Sequence, residues 1–145
     1  MKFIVQRVRQ AQVEVENKIV GKIDKGFIVL IGVTHEDTKD SADYLVKKLI
    51  NLRVFQDENN KMNLSLKDIK GSLLLVSQFT LYANCEKGNR PSFVEAAKPE
   101  IANELYEYVI QKCKEEIKNV QTGIFGADMQ VNLTNDGPVT ILLEK

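Results

Sequence analysis

Ser77-Gln78-Phe79-Thr80-Leu81 closes the apolar run Leu73–Val76 with small polar side chains around one aromatic ring. Near the other end, Asn135-Asp136-Gly137-Pro138-Val139-Thr140 sets a Gly-Pro step between two strand-like segments. Neither stretch offers an obvious general acid, general base or metal ligand. A site made from them must work through backbone groups and shape. On one reading, the amides that follow the strand form an oxyanion pocket, with Phe79 as its wall or as a platform on which a base stacks. On the other, Ser77, Gln78 and Thr80 are the polar end of a buried strand, their side chains occupying loose backbone groups. Thr80 as a nucleophile lacks a visible activating base. Gly137-Pro138 is open in the same way: hairpin punctuation followed by an edge proline, or a cis peptide that aims carbonyl oxygens in an unusual direction. Arg7 reads as a surface charge on a strand, and Phe125 and Met129 read as core residues or as the lining of an adenine pocket.

Counting removes the commoner chemistries. The chain has one histidine, His35, in the polar segment Thr34-His35-Glu36-Asp37. A Ser–His–Asp site would need His35 to meet Ser77 or Thr80, and nothing in the sequence brings them together. One histidine and two separated cysteines, Cys85 and Cys113, do not give zinc-ligand spacing. Neither a phosphate-binding glycine loop nor a dinucleotide fingerprint is present, so no cofactor or metal is expected.

A length of 145 residues suits one ordinary domain spanning 1–145, and 43% apolar with 28% charged residues suits a globular chain. No segment has the apolar length to span a bilayer, and the opening residues are too short and polar for a signal peptide. The two cysteines read as reduced thiols of a cytoplasmic protein. Net charge is zero but unevenly spread. Residues 1–35 and 61–98 each carry six Lys or Arg against three Asp or Glu, whereas residues 99–145 carry four against eight. Duplex DNA demands a dominant basic face, which is missing; a short single-stranded RNA end is compatible.

The elements that must position these residues follow from periodicity. Strands are expected over 1–9 and 12–16, then Ile19–Ile23 and the continuous apolar run Phe27–Val33. Ala42, Leu45, Val46, Leu49 and Ile50 predict a helix from about Lys39 to Leu52, with Asp37 and Thr38 as its cap. A short strand at Arg53–Gln56, a turn at 57–60 and a buried strand over Ser72–Leu81 come next. Pro99 opens a second helix reaching Asn119, with Ile101, Leu105, Tyr108, Val109 and Ile117 inward. Met129–Leu133 and Val139–Leu143 are expected to close the chain as a hairpin about Asn135-Asp136-Gly137. The fold class is α/β of an α+β kind: mostly antiparallel sheet forming a part-barrel, layered β/β/α with two main helices.

The set of motifs resembles the D-aminoacyl-tRNA deacylase family, also described as D-tyrosyl-tRNA deacylases. The matching stretches are Gln6-Arg7-Val8, Gly32-Val33, Lys61-Met62-Asn63-Leu64, Val76–Leu81, Arg90-Pro91-Ser92-Phe93, Gln121-Thr122-Gly123, Ala127–Val131 and Asn135–Thr140. Each is weak alone; their order and spacing are specific. The loop Tyr82–Gly88 departs in detail. The resemblance implies a homodimer with its active site at the subunit interface. Ser77, Gln78, Phe79 and Thr80 would floor the pocket of one subunit. Gly137 and Pro138, joined by a cis bond, would enter as a chiral filter from the other, and Arg7 would orient them. Phe125 and Met129 would lie near the terminal adenosine. The implied partner is the tRNA 3′ end, and the implied reaction hydrolyses its ester with a D-amino acid, with glycyl-tRNA as a second substrate.

Overall fold

In the computed structural model, which describes residues 1–145, one long strand organises the rest. β1 (Lys2–Val15) pairs antiparallel along one edge with β3 (Gly26–Gly32) and then β2 (Lys18–Ile23). Along its whole other edge it pairs antiparallel with β8 (Gln130–Glu144), from Lys2 opposite Glu144 to Glu14 opposite Gln130. β6 (Ser72–Ser77) joins β3 in parallel, and β7 (Val120–Thr122) joins β6 in parallel. Helices α1 (Lys39–Ile50) and α2 (Pro99–Glu116) lie in the crossovers that such parallel pairs require. A two-stranded hairpin, β4 (Phe55–Gln56) with β5 (Met62–Leu64), stands apart from the main sheet.

Side-chain alternation divides the sheet into two faces. Phe3, Val5, Phe27, Val29, Ile31, Leu73 and Leu75 pack with α1 and α2 in the main core. Val8, Ala11, Val13, Ile23, Ile28, Leu74 and Val76 form a second cluster inside the curl of the sheet. Residue 21 allows that curl to tighten: a Cβ there would lie 2.5 Å from the Thr122 carbonyl oxygen, so only glycine lets β2 come this close to β7. The result is the expected β-rich part-barrel with two helices on one side. No helix is long and apolar enough to cross a membrane.

Several expectations change in detail. Segments 1–9 and 12–16 are one strand, which keeps its pairing by a bulge: Val8 faces Asn135 and Gln10 faces Thr134, leaving Arg9 unpaired against β8. The closing hairpin does not form. Because β1 continues past the Asn-Asp-Gly-Pro turn signal and pairs on both sides of it, residues 130–144 remain one strand and the turn residues bulge outward. β6 stops at Ser77, and Phe79–Tyr82 coil into a 3₁₀ turn. α1 buries the five predicted residues, but Asp37 does not cap it; its carboxylate instead accepts from the Thr34 amide at 2.7 Å and from the Met1 amino group. α2 turns Tyr106, Ile110 and Cys113 inward beside Leu105 and Val109, and leaves Ile101 exposed.

Cys113 is buried and desolvation pushes its thiol up to about 12, whereas Cys85 is exposed. Since the thiolate is the reactive form, the folded protein at pH 8 is expected to take up one equivalent of an alkylating reagent, at Cys85, and a second only after unfolding. Mass spectrometry of the labelled chain checks this; rapid double labelling of folded protein would contradict the packing of α2.

Candidate active site

The end of β6 and the segment before α2 form the two sides of an apolar cleft of about 640 Å³. Ser77, Gln78 and Phe79 lie on one side, Phe93 and Ala96–Pro99 face them, and Tyr106, Phe125 and Met129 are further lining residues. Two strand-end features place the floor. The parallel ladder carries Ser77 to a position opposite Ile31, and the Gln78 amide then donates to the Ile31 carbonyl at 2.7 Å, holding the chain as it leaves the sheet. The 3₁₀ turn follows at once, and its first amides, those of Phe79 and Thr80, have no carbonyl partner inside the turn. Phe79 is exposed and meets Phe93 edge-on, with ring centroids 5.0 Å apart.

The floor is buttressed from below. The buried Tyr106 hydroxyl donates to the Leu75 carbonyl at 2.8 Å, and burial raises its pKa so that it remains a donor. Across the mouth, Thr34 Oγ1 donates to the Glu95 carbonyl at 2.6 Å, and the His35 ring bonds the Val94 carbonyl at 2.8 Å. The sole histidine thus latches the Phe93 segment to the end of β3 and is not hydrogen-bonded to Ser77 or Thr80. Reciprocal amide-to-carbonyl bonds between Asn84 and Ser92, both 2.8 Å, close the polar loop between them at its base.

Thr80 is exposed just outside the cleft lining, and its hydroxyl pairs with the Gln78 side-chain amide at 2.5 Å. No carboxylate, imidazole or amine is hydrogen-bonded to it. No three His, Cys, Asp or Glu side chains converge anywhere in the chain in a way that could hold a metal. Lys98 is the only charged residue lining the cleft. The arrangement can bind an apolar or aromatic group beside an anion, and can present backbone donors. It holds no strong proton acceptor of its own.

Gly137, Pro138 and Arg7 do not line this cleft. They form a second constellation on the sheet. Between the pairs Gln6–Thr140 and Val8–Asn135, residues 136–139 stand opposite Arg7 alone, so β8 bulges there. Arg7 follows Phe3 and Val5 on the helix-facing side of β1 and is 7% exposed, so the surface charge read from the sequence is in fact buried. Its guanidinium donates to the Asp136 carbonyl at 2.8 Å and to the Val54 carbonyl. Gly137 and Pro138 are exposed, and the peptide between them is cis. Gly137 has φ +145°, and a Cβ there would lie 2.8 Å from Val139 Cγ2 and 3.1 Å from Arg7 Nη2. The position therefore requires glycine on both conformational and steric grounds.

Sequence reasoning missed the residue that closes this bulge. Asn135 accepts from the Val139 amide at 2.7 Å and donates to the Val139 carbonyl at 3.2 Å and to Thr140 Oγ1 at 3.1 Å. Its place in an Asn-Asp-Gly-Pro run disguised it as turn punctuation, since Asx side chains commonly bond nearby backbone. Phe93 and Lys98 also line the cleft, and only Phe93 carries a sequence signal, the motif Arg90-Pro91-Ser92-Phe93.

A layered β/β/α part-barrel with an apolar, base-free cleft and a glycine-proline bulge defines a class, and the comparisons identify it. The sequence profile of the family described as D-Tyr-tRNA(Tyr) deacylase matches residues 4–144. The chain belongs to that family. Proteins called D-aminoacyl-tRNA deacylase from Clostridium novyi (strain NT) and Thermosipho africanus (strain TCF52B) are each 58% identical over 144 residues, covering 99% of this chain and 97% of theirs. A solved structure named c-Myc DNA Unwinding Element Binding Protein is 41% identical with a TM-score of 0.95, covering 100% of this chain and 99% of that one. A probable eukaryotic D-amino acid tRNA deacylase shares the fold at TM-score 0.87 and 17% identity, over 99% of this chain and 98% of its own.

Two arginines touch Asp136, and their burial separates them: Arg7 has 8% of its side chain exposed, Arg9 76%. Replacing Arg7 with Met leaves two carbonyls without their donor and is expected to cost about 1–3 kcal/mol in urea unfolding. Arg9→Met is expected to cost no more than about 0.5 kcal/mol. Equal losses would show that the bulge does not depend on the buried guanidinium.

Proposed function

We propose that this chain hydrolyses the ester joining a D-amino acid to the 3′ end of tRNA, releasing free D-amino acid and tRNA. One observation carries the reading: Ser77, Gln78 and Phe79, with Thr80 at the edge, border an apolar cleft without a base, in a chain that matches the deacylase family over residues 4–144. The whole chain, 1–145, acts as a single catalytic domain. Its partner is the RNA end, whose last phosphodiester suits the lone cation Lys98 and whose adenosine suits the half-buried Phe125 and Met129.

The chemistry follows from what the floor offers. Water attacks the ester carbonyl, the tetrahedral oxyanion is held by the amides of the turn after Ser77, and the carbon–oxygen bond to the ribose breaks. The ribose oxygen leaves carrying the proton that the attacking water gives up. An aminoacyl ester is already activated, and the neighbouring 2′-hydroxyl of the RNA orients the water, so orientation replaces a protein base. Ser77, Gln78, Phe79 and Thr80 are the catalytic residues in this sense.

Chirality is read by exclusion. In a homodimer, Gly137 and Pro138 of one subunit enter the cleft of the other and their carbonyls occupy the direction an L side chain would take. Their exposure, and their distance from the lining of their own cleft, suit that arrangement. Arg7 holds their orientation through the Asp136 carbonyl. Glycine has no side chain to exclude, so glycyl-tRNA is a second substrate. No cofactor is required by these steps.

A covalent acyl-Thr80 route is less well supported, because the only side chain bonded to the Thr80 hydroxyl is an amide. A non-catalytic RNA-end-binding dimer is the reading from another class. DNA binding, suggested by the name of one structural relative, fits poorly with a net charge of zero.

Hydrolysis of matched D- and L-aminoacyl-tRNAs in the presence of a chelator tests the proposal. The D-ester is expected to react at least about a hundredfold faster, with the preference unchanged by chelation. Thr80→Ala is expected to remain within about tenfold of wild type. Tight binding without release of amino acid would favour the binding module, and a trapped acyl-Thr80 species would establish the covalent route.

A further inference from the structure

The motif Lys61-Met62-Asn63-Leu64 and the detached β4–β5 hairpin play no part in the chemistry above, yet the hairpin reaches the chiral element through one atom. Arg7 has two backbone acceptors: the Asp136 carbonyl beside Gly137, and the Val54 carbonyl at the foot of β4. That second acceptor opens a hairpin whose strands are two and three residues long and whose register is irregular between Phe55 and Gln56; Val54 and Phe55 are anchored in the main core, whereas the facing strand has no such buried residue. A ladder this short is marginal by itself.

Side chains supply what the ladder lacks. Arg53, the residue before Val54, grips Asn63 twice: Nε donates to the Asn63 carbonyl at 2.7 Å and Nη2 to Asn63 Oδ1 at 3.1 Å. Asn63 Nδ2 in turn donates to Asp57 Oδ2 at 2.6 Å. The other Asp57 oxygen accepts from the Asn59 and Lys61 amides at 2.8 and 3.0 Å, so the whole 57–61 loop is built around one carboxylate. The bond from Asn63 is the first cause that holds this carboxyl below its ordinary range. The path from Asp57 to Gly137 therefore runs through the side chains of Asn63 and Arg53, along the backbone to the Val54 carbonyl, and through the Arg7 guanidinium to the Asp136 carbonyl next to Gly137.

We propose that Asn63 and Arg53 are positioning residues for the Gly137-Pro138 element, acting by fixing the Val54 carbonyl on which the Arg7 guanidinium rests. This rests on the reading of Gly137-Pro138 as the chiral filter. Asn63 is suited to the task because it is the one residue of the hairpin that offers both an acceptor to Arg53 and a donor to Asp57. If the clamp is loosened, Arg7 keeps its charge and its bond to Asp136 but loses a fixed second support, and the carbonyls next to it drift. A filter that works by blocking a direction is sensitive to such drift, since displacements near 1 Å cost up to about a hundredfold. The discrimination between mirror-image esters should suffer before affinity does.

The test uses the full chain and compares wild type, Asn63→Ala, Arg53→Gln, Arg7→Lys and the Asn63→Ala/Arg7→Lys pair. Each is assayed for kcat and KM on matched D- and L-aminoacyl-tRNA, with the thermal midpoint measured in parallel. Asn63→Ala and Arg53→Gln are each expected to lower the D-over-L ratio of kcat/KM about tenfold or more, with KM near the wild-type value. In the Arg7→Lys background, Asn63→Ala is expected to add less than about twofold, because residues acting through one another are not additive. An unchanged ratio in both single variants would overturn the proposal, as would a full multiplicative effect in the pair. Those outcomes differ from a wild-type protein with no D-selective hydrolysis, which would remove the functional reading itself and this proposal with it.

Discussion

A guanidinium placed at a core-facing position of a strand must find acceptors, and much of this molecule is arranged around that requirement. Arg7 sits where alternation along β1 would call for another Phe3 or Val5. Leaving its charge unpartnered in that position would cost several kcal/mol, on the order of the whole stability of a small domain. The chain answers from two directions, with the Val54 carbonyl from the β4 side and the Asp136 carbonyl from β8. No buried side-chain nitrogen or oxygen is left without a partner. The bulge in β8 is the backbone's share of this solution: by stepping away from β1 opposite one residue, it turns the Asp136 carbonyl inward and Gly137-Pro138 outward.

The second constraint is the register of a mixed sheet. β3 carries both an antiparallel neighbour and a parallel one, so its carboxyl end, the end of β6 and the start of the 3₁₀ turn are held at one level. Ligand sites in sheets with parallel strands favour such strand ends, where successive amides come free. Tyr106, from the helix layer, and Thr34 with His35, from the strand end, brace the two sides of the opening. The cleft is thus supported by regular elements, while its contact residues lie on the short segments between them.

Much of this was legible in the residues, and the failures share a cause. The apolar run Phe27–Val33 and the five inward residues of α1 announce themselves by period alone. The Ser77–Thr80 stretch announces a strand end by its abrupt change of polarity. What could not be read locally is where a neighbour overrides a local signal. Asn-Asp-Gly-Pro is strong turn chemistry, yet β1 keeps 130–144 in one strand. The burial of Arg7 is invisible because its acceptors lie 47 and 129 residues away. The face of α2 was misjudged because Ile101 resembles a core residue, whereas Tyr106 earns its burial through one hydroxyl bond to β6.

The closed base of the loop after the 3₁₀ turn has a consequence for divergence. With Asn84 and Ser92 bonded to each other in both directions, the seven residues between them hang outside a completed ring. Chain beyond such a closure changes length at little entropic cost, since doubling a loop adds only about 0.6 kcal/mol. This segment is therefore a natural insertion point: related chains are free to lengthen, shorten or recharge it while the Phe79–Phe93 pair beneath keeps its place.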